Sequence, residues 1–585
     1  MRLLERQTNG DLVFHEPAVG DSPAYAILSH TWLADNNQEI SFQDVQAGTG
    51  KNKDGWVKIQ FCADKAAADG LPYFWIDTCC IDKSSSAELQ EAINSMFRWY
   101  RNAAICYVYL SDVSSSAFND KSNQLPFESV FRQSRWFTRG WTLQELLAPV
   151  SVEFFSKEGI RLGDEKSLER QIHEITGIPV LAIRGTPLYQ FRVNERFIWA
   201  HKRKTTREED WAYSLLGIFD IFMPLIYGEG WERAVIRLRK EIYEASKVKV
   251  LEGHSGGVSA MAFSPDGKQL VSASHGRTVR LWDTGSATPL QTLEGRSGGV
   301  SAVAFSPDGK QLVSTSDDET VRLWDVVSGA PLQQLRGHFG RVSAVAFSPD
   351  GKQLASASDD KTVRLWGTGS GTRLHTLRGH SGRVSAVAFS PDSKQLISTS
   401  DDKTVRLWDA GSGTRLHTLE GHSGRVSAVV FSPDSKQLVS ASHDKTVRLW
   451  DAGSGTRLHT LESHWGWSSA VAFSPDGKQV IATTDGKMVK LWDTGSGTPL
   501  RTLRGHSGRV SAVAFSPDSK QLVSTSDDKT VRLWDTGAGT PLQTLEGHSG
   551  GVSAVAFSPD GKHLASASSD DGTVRLWPIG YIALF

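Results

Sequence analysis

From residue 251 onward, short apolar runs alternate with polar turns in a unit that recurs every 42 residues. In the copy at 377–418 the runs are VSAVAF, QLIST, TVRLWD and RLHTL, separated by SPDS, SDDK and AGSGT. Such β-rich runs between turn residues predict four short strands per copy, and a fixed period predicts a repeat architecture. The eight copies begin at Leu251, Leu293, Leu335, Leu377, Leu419, Leu461, Leu503 and Leu545.

The first 246 residues have no such period, and strand-like runs alternate there with stretches of helical spacing. This alternation predicts a parallel α/β sheet, and the part from about 190 to 246 is mainly helical in pattern. The predicted strands are 25–29, 73–77 and 104–110, and the predicted helices are 55–69, 87–100 and a segment that begins at 141.

Composition narrows the class of protein. The 585 residues carry 64 Lys and Arg against 65 Asp and Glu, so the basic bias of a nucleic-acid binder is absent and we expect no nucleic-acid partner. The first residues lack the apolar core of a signal peptide, and the most apolar stretch, 211–227, holds Asp220 and Pro224 and is short for a span. We predict a cytoplasmic protein without a membrane span.

The four cysteines lie in the first half of the chain and are too few for a disulfide scaffold: Cys62, Cys79, Cys80 and Cys106. Cys79 and Cys80 are adjacent, which is poor geometry for one ion, and no paired Cys/His set follows them. We predict buried structural thiols and no metal site.

A typical repeat opens with Gly-His and closes its third strand with Trp-Asp, and it resembles the WD40 repeat. The resemblance implies an all-β propeller over residues 247–585, with one four-stranded blade per repeat. It also implies a buried hydrogen-bond series in each blade, here His380, Ser398 or Ser400, Asp402 and Trp408. Three copies depart from the pattern, at Gly276, Arg296 and Ser468.

Closure of the ring has two readings. Residues 247–251 precede the first Gly-His as 289–293 precede the second, which places them as the outer strand of the last blade. The C-terminal residues 581–585 could compete for that role. We expect eight blades, and seven blades with a spare repeat is the alternative.

The copies differ from one another chiefly in two loops that a WD40 propeller places on one face. Large side chains there favour a protein partner on this loop face. Drift in exposed loops is the alternative. The predicted partner-binding residues are Phe339, Arg341, Arg383, Arg425, Trp465, Trp467 and Arg509.

The first half carries five motifs: YAILSHTW (25–32), WIDTCCIDK (75–83), the run 88–113, SRWFTRGWTLQELLAP (134–149) and the run 208–230. Together they resemble the fungal HET domain, the effector of heterokaryon-incompatibility proteins. The resemblance covers residues 1–246. It implies a protein of non-self recognition whose propeller recognises a partner and whose HET domain triggers programmed cell death, with self-association of the HET domain as one route. Members of that class carry a NACHT nucleotide-binding module between the two parts, and no phosphate-binding G-x-x-x-x-G-K-[ST] occurs here.

A more distant resemblance links this half to TIR domains and carries a catalytic carboxylate to Glu145, within the run 141–146. It implies NAD as a substrate, because a carboxylate can stabilise the oxocarbenium-like state of nicotinamide–ribose cleavage. Two alternatives remain: Glu145 is a helix carboxylate favoured by the dipole, and the chain is a non-enzymatic scaffold whose HET domain only docks partners. The predicted ligand-binding residues at strand ends and nearby are Ser29, His30, Trp32, Asp77 and Arg139.

Overall fold

The computed structural model describes residues 1–17, 23–33, 35–114, 126–294, 297–462, 468, 470–484 and 486–579. The chain forms two compact units, 1–247 and 248–579. Within the described ranges, no helix combines the length and the apolar character needed to cross a membrane.

The N-terminal unit is built on a seven-stranded sheet in the order β2-β1-β4-β3-β5-β6-β7. Its strands are β1 Leu3–Arg6, β2 Leu12–His15, β3 Tyr25–His30, β4 Tyr73–Trp75, β5 Ile105–Tyr109, β6 Val152–Phe155 and β7 Arg161–Asp164. Its α-helices are α1 Phe42–Gln46, α2 Trp56–Ala68, α3 Ser86–Asn102, α4 Pro126–Arg132, α5 Thr142–Leu147, α6 Glu169–Thr176, α7 Val180–Ile183, α8 Val193–Ala200, α9 Asp210–Tyr213, α10 Leu216–Phe219 and α11 Trp231–Ser246.

Four central strands, in the order β4-β3-β5-β6, are parallel, as the sequence predicts. The chain runs from β3 to β4 on one side and returns to β5 on the other, which is a doubly wound order with its switch point at β3. The three outer pairings, of β1 with β2 and β4 and of β7 with β6, are antiparallel. They are an addition that the sequence pattern does not predict.

Helices cover both faces of the sheet, because side chains alternate along each strand. On one face Phe61 of α2 packs against Tyr109 and Phe155, with ring centroids 5.0 and 5.1 Å apart. On the other face Phe154 packs against Trp136, which lies just before α5. Successive residues of β3 therefore serve different faces, and Ser29 and His30 point to opposite sides.

The second unit consists of eight four-stranded antiparallel sheets, and the prediction of eight blades is confirmed. Blades 1 to 4 are β9–β12 (Val258–Phe263, Gln269–Ser274, Val279–Asp283, Pro289–Leu293), β13–β16 (Val300–Phe305, Gln311–Ser316, Val321–Asp325, Pro331–Leu335), β17–β20 (Val342–Phe347, Gln353–Ser358, Val363–Gly367, Arg373–Leu377) and β21–β24 (Val384–Phe389, Gln395–Ser400, Val405–Asp409, Arg415–Leu419). Blades 5 to 7 are β25–β28 (Val426–Phe431, Gln437–Ser442, Thr446–Asp451, Arg457–Glu462), β29–β32 (Val471–Phe473, Gln479–Thr484, Met488–Asp493, Pro499–Leu503) and β33–β36 (Val510–Phe515, Gln521–Ser526, Val531–Asp535, Pro541–Leu545). Blade 8 is β37–β39 (Val552–Phe557, His563–Ser568, Val574–Pro578) with β8 (Lys249–Leu251).

The ring closes through β8, which pairs antiparallel with β39 so that Leu251 faces Val574. The competing C-terminal residues 581–585 lie outside the described residues. A serine on the innermost strand also links one blade to the next, as where Ser385 Oγ donates to the Val426 carbonyl at 2.7 Å. The same bond from Ser553 to Val258 crosses the closure at 3.2 Å.

The predicted hydrogen-bond series is present in blade 4 and uses Ser398 of the two candidate serines. His380 contacts Asp402 at 2.9 Å through Nδ1 and Ser398 at 2.9 Å through Nε2, and the Trp408 indole donates to Ser398 at 2.9 Å. In blade 1, where Gly276 replaces the aspartate, His254 contacts the Thr278 hydroxyl at 2.8 Å instead. The departure at Arg296 lies outside the described residues.

Candidate functional site

The candidate site of the N-terminal unit is the carboxyl edge of the sheet, defined here by Ser29, His30, Trp32 and Asp77. Ser29 and His30 end β3, and Asp77 follows β4, the neighbouring parallel strand. Parallel strands bring such ends together, and open α/β sheets bind ligands there, at the switch point. The structure brings the predicted residues together as two clusters on opposite faces.

The first cluster is buried around Glu145. The Ser29 hydroxyl donates to a Glu145 carboxyl oxygen and accepts from the Trp136 indole nitrogen at 2.7 Å. Burial and the nearby Asp77 carboxylate raise the pKa of Glu145 to about 8, although Ser29 and two arginines oppose the shift. Glu145 is only 4% exposed, so its carboxyl group is desolvated and largely protonated at neutral pH.

The second cluster is centred on Asp77. One carboxylate oxygen contacts His30 Nε2 at 3.1 Å, and the other accepts from the Trp32 indole nitrogen at 2.9 Å. Burial opposes ionisation, but the contacts to His30, the Lys83 charge and the Trp32 bond hold the pKa of Asp77 well below its usual range. The Asp77 side chain is 19% exposed, so this ionised group reaches the surface where Glu145 does not.

A buried lysine that the sequence reasoning missed supports the second cluster. The Lys58 ammonium, on α2, contacts a Glu39 carboxylate oxygen at 2.5 Å, the Thr31 carbonyl at 3.0 Å and His30 Nδ1 at 3.3 Å. Burial lowers the pKa of Lys58, and Glu39 opposes that shift. A signal was available, because Lys58 shares the buried helix face with Cys62 and Ala66 at intervals of four residues.

Gly55 brings α2 close to the segment that carries Glu39. A Cβ at position 55 would lie 2.8 Å from the Gln38 carbonyl oxygen and 2.9 Å from a Glu39 carboxylate oxygen. Only glycine fits this approach without displacing its neighbours. The residue therefore helps to hold Glu39 against Lys58.

Cations surround the carboxyl edge. The Lys83 ammonium lies 3.8 Å from the centre of the Trp32 ring. The predicted ligand residue Arg139 is half-buried, and its charge adds to the lowering of the pKa of Lys58 and opposes the rise in the pKa of Glu145. Arg203, a second residue that the sequence reasoning missed, is buried and donates to the Thr142 hydroxyl at 2.8 Å. Its burial lowers the pKa of Arg203 to about 10.

The cysteines contribute no side-chain contact to the Glu145 or Asp77 carboxyl groups among the described hydrogen bonds, although the Cys106 thiol donates to the Glu145 backbone carbonyl at 3.8 Å. All four are free thiols in the core, and burial raises the pKa values of Cys62 and Cys106 well above their usual range. In the described part of the chain, no group of three or more His, Cys, Asp or Glu side chains could hold a metal ion.

On the propeller, the described partner candidates lie in loops that hydrogen-bond to the turns before the third strands. Phe339 is 85% exposed, and its backbone N–H donates to Asp360 at 3.1 Å. The rim arginines, Arg341, Arg383, Arg425 and Arg509, recur at the seventh position of their repeats. Trp465 and Trp467 lie outside the described residues.

Three rim arginines reach the acidic turn of the preceding blade. The nitrogen–oxygen distances are 2.9 Å for Arg341 to Asp317, 3.8 Å for Arg383 to Asp359 and 3.5 Å for Arg425 to Asp401. Such half-exposed pairs contribute about 0–1 kcal/mol each. They leave a surface of balanced charge.

The fold, together with the polar carboxyl edge of the N-terminal sheet, defines a two-part protein in which an α/β unit is followed by an eight-bladed propeller. The family described as "WD domain, G-beta repeat" matches at 245–283, 287–325, 329–367, 371–409, 413–451, 455–493, 497–535 and 539–578. These matches span more than half of the chain, which therefore belongs to the WD-repeat family. The family "Heterokaryon incompatibility protein (HET)" matches residues 25–130, so the chain joins a HET domain to eight WD40 repeats.

Individual relatives match parts of the chain. The vegetative incompatibility protein HET-E-1 of Podospora anserina is 58% identical over 243 residues, which are 41% of this chain and 18% of that protein. The chain thus matches about a fifth of that relative's length. The Notchless protein homolog of Arabidopsis thaliana is 46% identical over 59 residues, 10% of this chain and 12% of that protein. The crystal structure of the computationally designed Ika8 protein is similar with a TM-score of 0.51 and 31% identity, covering 56% of this chain and 98% of its own.

Proposed function

We propose that this chain is a cytoplasmic heterokaryon-incompatibility protein, in which the propeller recognises a protein partner and the HET domain acts as the effector of cell death. The observation that carries the proposal is the 58% identity over 243 residues to a vegetative incompatibility protein. The loop face of the propeller supports the recognition role, because it presents Phe339 at 85% exposure beside the half-exposed side chains of Arg341 and Arg383. An exposed aromatic side chain next to arginines is typical of a binding hot spot.

The test is a fusion assay in a filamentous fungus that lacks the chain. Strains expressing the full chain are fused with a panel of unrelated isolates, and cell death is scored. We expect death with a subset of isolates, because recognition is specific. Phe339→Ser should change that subset at unchanged protein level, since the backbone N–H that contacts Asp360 is kept. If the chain causes death with no isolate, the proposal is wrong.

A second candidate is cleavage of NAD by the HET domain, with Glu145 as the catalytic residue. The observation that favours it is a carboxyl group with a pKa of about 8 beside Ser29, at the ligand-binding edge of a doubly wound sheet. Because Glu145 is 4% exposed, Ser29 and Trp136 must part before a substrate reaches it.

Cellular NAD, measured in the same fusions, separates this candidate from the non-enzymatic alternative. If the HET domain is an NAD hydrolase, NAD falls before viability does, and Glu145→Gln keeps both high. Death with constant NAD in the wild type and in the variant assigns the HET domain to docking or self-association.

A further inference from the structure

The Lys58 ammonium fixes the tautomer of His30. An ammonium has three protons and accepts no hydrogen bond. Its three neighbours, the Glu39 carboxylate, the Thr31 carbonyl and His30 Nδ1, lie at 2.5, 3.0 and 3.3 Å. His30 Nδ1 also lies 3.3 Å from the Thr31 carbonyl, which an Nδ1 proton could reach. An Nδ1 proton would, however, face the Lys58 ammonium, which only donates, so Nδ1 is the acceptor. The imidazole proton is then on Nε2, where it is donated to Asp77 across 3.1 Å.

These contacts hold the Asp77 carboxylate in one orientation, and each of its oxygens can still accept a further hydrogen bond. His30 Nε2–H and the Trp32 indole N–H each donate to a different oxygen. Each carboxylate oxygen can accept about two hydrogen bonds, so one position on each remains. The side chain is 19% exposed, and its two free positions suit a ligand with two adjacent donors.

The surrounding charge decides between the two common ligands of this kind, a guanidinium and a pair of adjacent hydroxyls. Lys58, Lys83 and Arg139 act electrostatically on the edge residues, and they outnumber the two carboxylates of the group, Asp77 and Glu39. A guanidinium would add a fourth cation to a group that already has one positive charge in excess. A neutral diol carried by an anionic phosphate would gain from the same charges.

We propose that Asp77 is the ligand-contacting carboxylate of the HET domain, that it binds the ribose hydroxyls of an anionic ribonucleotide, and that Lys58 and Glu39 are positioning residues acting through His30. The proposal rests on the effector role proposed above, since it names the ligand class of that unit. It assigns ligand contact to Asp77 and leaves Glu145 as a buried neighbour.

The test is calorimetric titration of the full chain with AMP, 2′-deoxy-AMP, ADP-ribose and NAD. We expect AMP to bind at least about tenfold more tightly than 2′-deoxy-AMP, because a hydrogen bond to a charged group contributes about 1.5–3 kcal/mol, which is about 10- to 150-fold in affinity. Asp77→Asn should weaken AMP binding by about the same factor. Equal affinity for the two nucleotides, wild-type binding by Asp77→Asn, or no binding of any probe at about ten millimolar would overturn the proposal.

The positioning role has its own readout. Lys58→Met should weaken AMP binding, whereas Lys65→Met, the same change on the same helix, should leave it unchanged. If Lys58→Met fails to fold, Glu39→Gln replaces it. Imidazole ¹⁵N shifts of the full chain, assigned by the signal lost in His30→Gln, should show the Nε2–H tautomer. An Nδ1–H tautomer would contradict the proposal that Lys58 positions Asp77 through His30. If the chain causes fungal cell death but binds no nucleotide, the nucleotide site is wrong and the proposed function is retained. If it binds nucleotide but causes no death, the site is retained and the proposed function is wrong.

Discussion

At the scale of single residues, two effects act in opposite directions on the pKa of Glu145: the helix dipole lowers it and burial raises it. The dipole at the start of α5 favours a negative charge by about 0.3–1 kcal/mol. The pKa of about 8 shows that burial outweighs it. Burial therefore has a larger effect on the protonation of Glu145 than the helix dipole has, and the group is a buried acid that accepts a hydrogen bond from the Ser29 hydroxyl.

This protonation state predicts a pH dependence. The folded pKa of Glu145 is raised above its unfolded value, so the folded state binds the extra proton between about pH 4.5 and 8. Stability is then fully present below pH 4.5 and is lost as the pH rises through 8, by at most about 1.4 kcal/mol per pH unit. Glu145→Gln keeps the shape without the charge. We expect it to match the wild type at pH 5 and to be more stable at pH 8.

Urea unfolding followed by circular dichroism at 222 nm measures this, because the helices of the described residues all lie in the N-terminal unit. Glu91→Gln, on the exposed side of α3, is the matched control. A constant difference between Glu145→Gln and the wild type from pH 5 to 8 would show that Glu145 is ionised throughout.

At the scale of elements, the blade network shows how a repeated hydrogen-bond series tolerates a missing member. Burial opposes ionisation of Asp402, but bonds from Thr404 and His380 lower the pKa of Asp402 to about 2. The blade 1 histidine, His254, contacts Thr278 instead, and burial lowers the pKa of His254 to about 4. The threonine thus takes over part of the role of the aspartate, which explains why Gly276 is accommodated.

We therefore expect Asp402→Gly, which copies blade 1, to cost about 1–3 kcal/mol of propeller stability, because His380 and the Ser381 N–H lose an acceptor. Since the pKa of Asp402 is lowered, its contribution is present above about pH 4 and fades as the pH falls towards 2. Calorimetric unfolding at pH 7 and 3.5 measures both effects. Asp401→Gly, in the same turn, removes only a surface ion pair and should cost less than about 1 kcal/mol. Equal losses for the two variants would contradict the network.

The same scale shows what the sequence can and cannot predict. Buried strands such as β3 and β5 are predicted directly, because their residues are apolar or aromatic, apart from Ser29 and His30 at the end of β3, and the runs are bounded by polar turns. The antiparallel edge strands are missed, since short segments such as Leu12–His15 have a mixed burial pattern. The carboxyl edge is predictable from Ser29, His30 and Asp77 at strand ends. The Lys58–Glu39 pair is not, because it joins residues from separate segments that meet only through folding.

At the scale of the whole molecule, ring closure makes one short strand more important than its length suggests. Leu251 on β8 is 1% exposed against β39, and the equivalent Leu293 in blade 1 is 5% exposed. Leucine-to-alanine changes at buried sites cost about 2–5 kcal/mol, so both variants should lose similar packing energy. They differ in topology, because β8 is the first strand of the propeller and belongs to its last blade.

We expect Leu251→Ala to open the ring between blades 8 and 1, and Leu293→Ala to loosen one blade within a closed ring. Once β8 detaches, β39 becomes an unpaired edge, which promotes cleavage and association. Limited proteolysis and small-angle scattering of the full chain should therefore report a larger change for Leu251→Ala at equal thermal destabilisation. Val250→Ala, on the same strand with 38% exposure, should resemble the wild type. If Leu293→Ala is cleaved as fast as Leu251→Ala, pairing of β8 with β39 contributes only its packing energy to ring closure. The ring would then be held closed by the inner-strand serine hydrogen bonds, such as that from Ser553 to Val258.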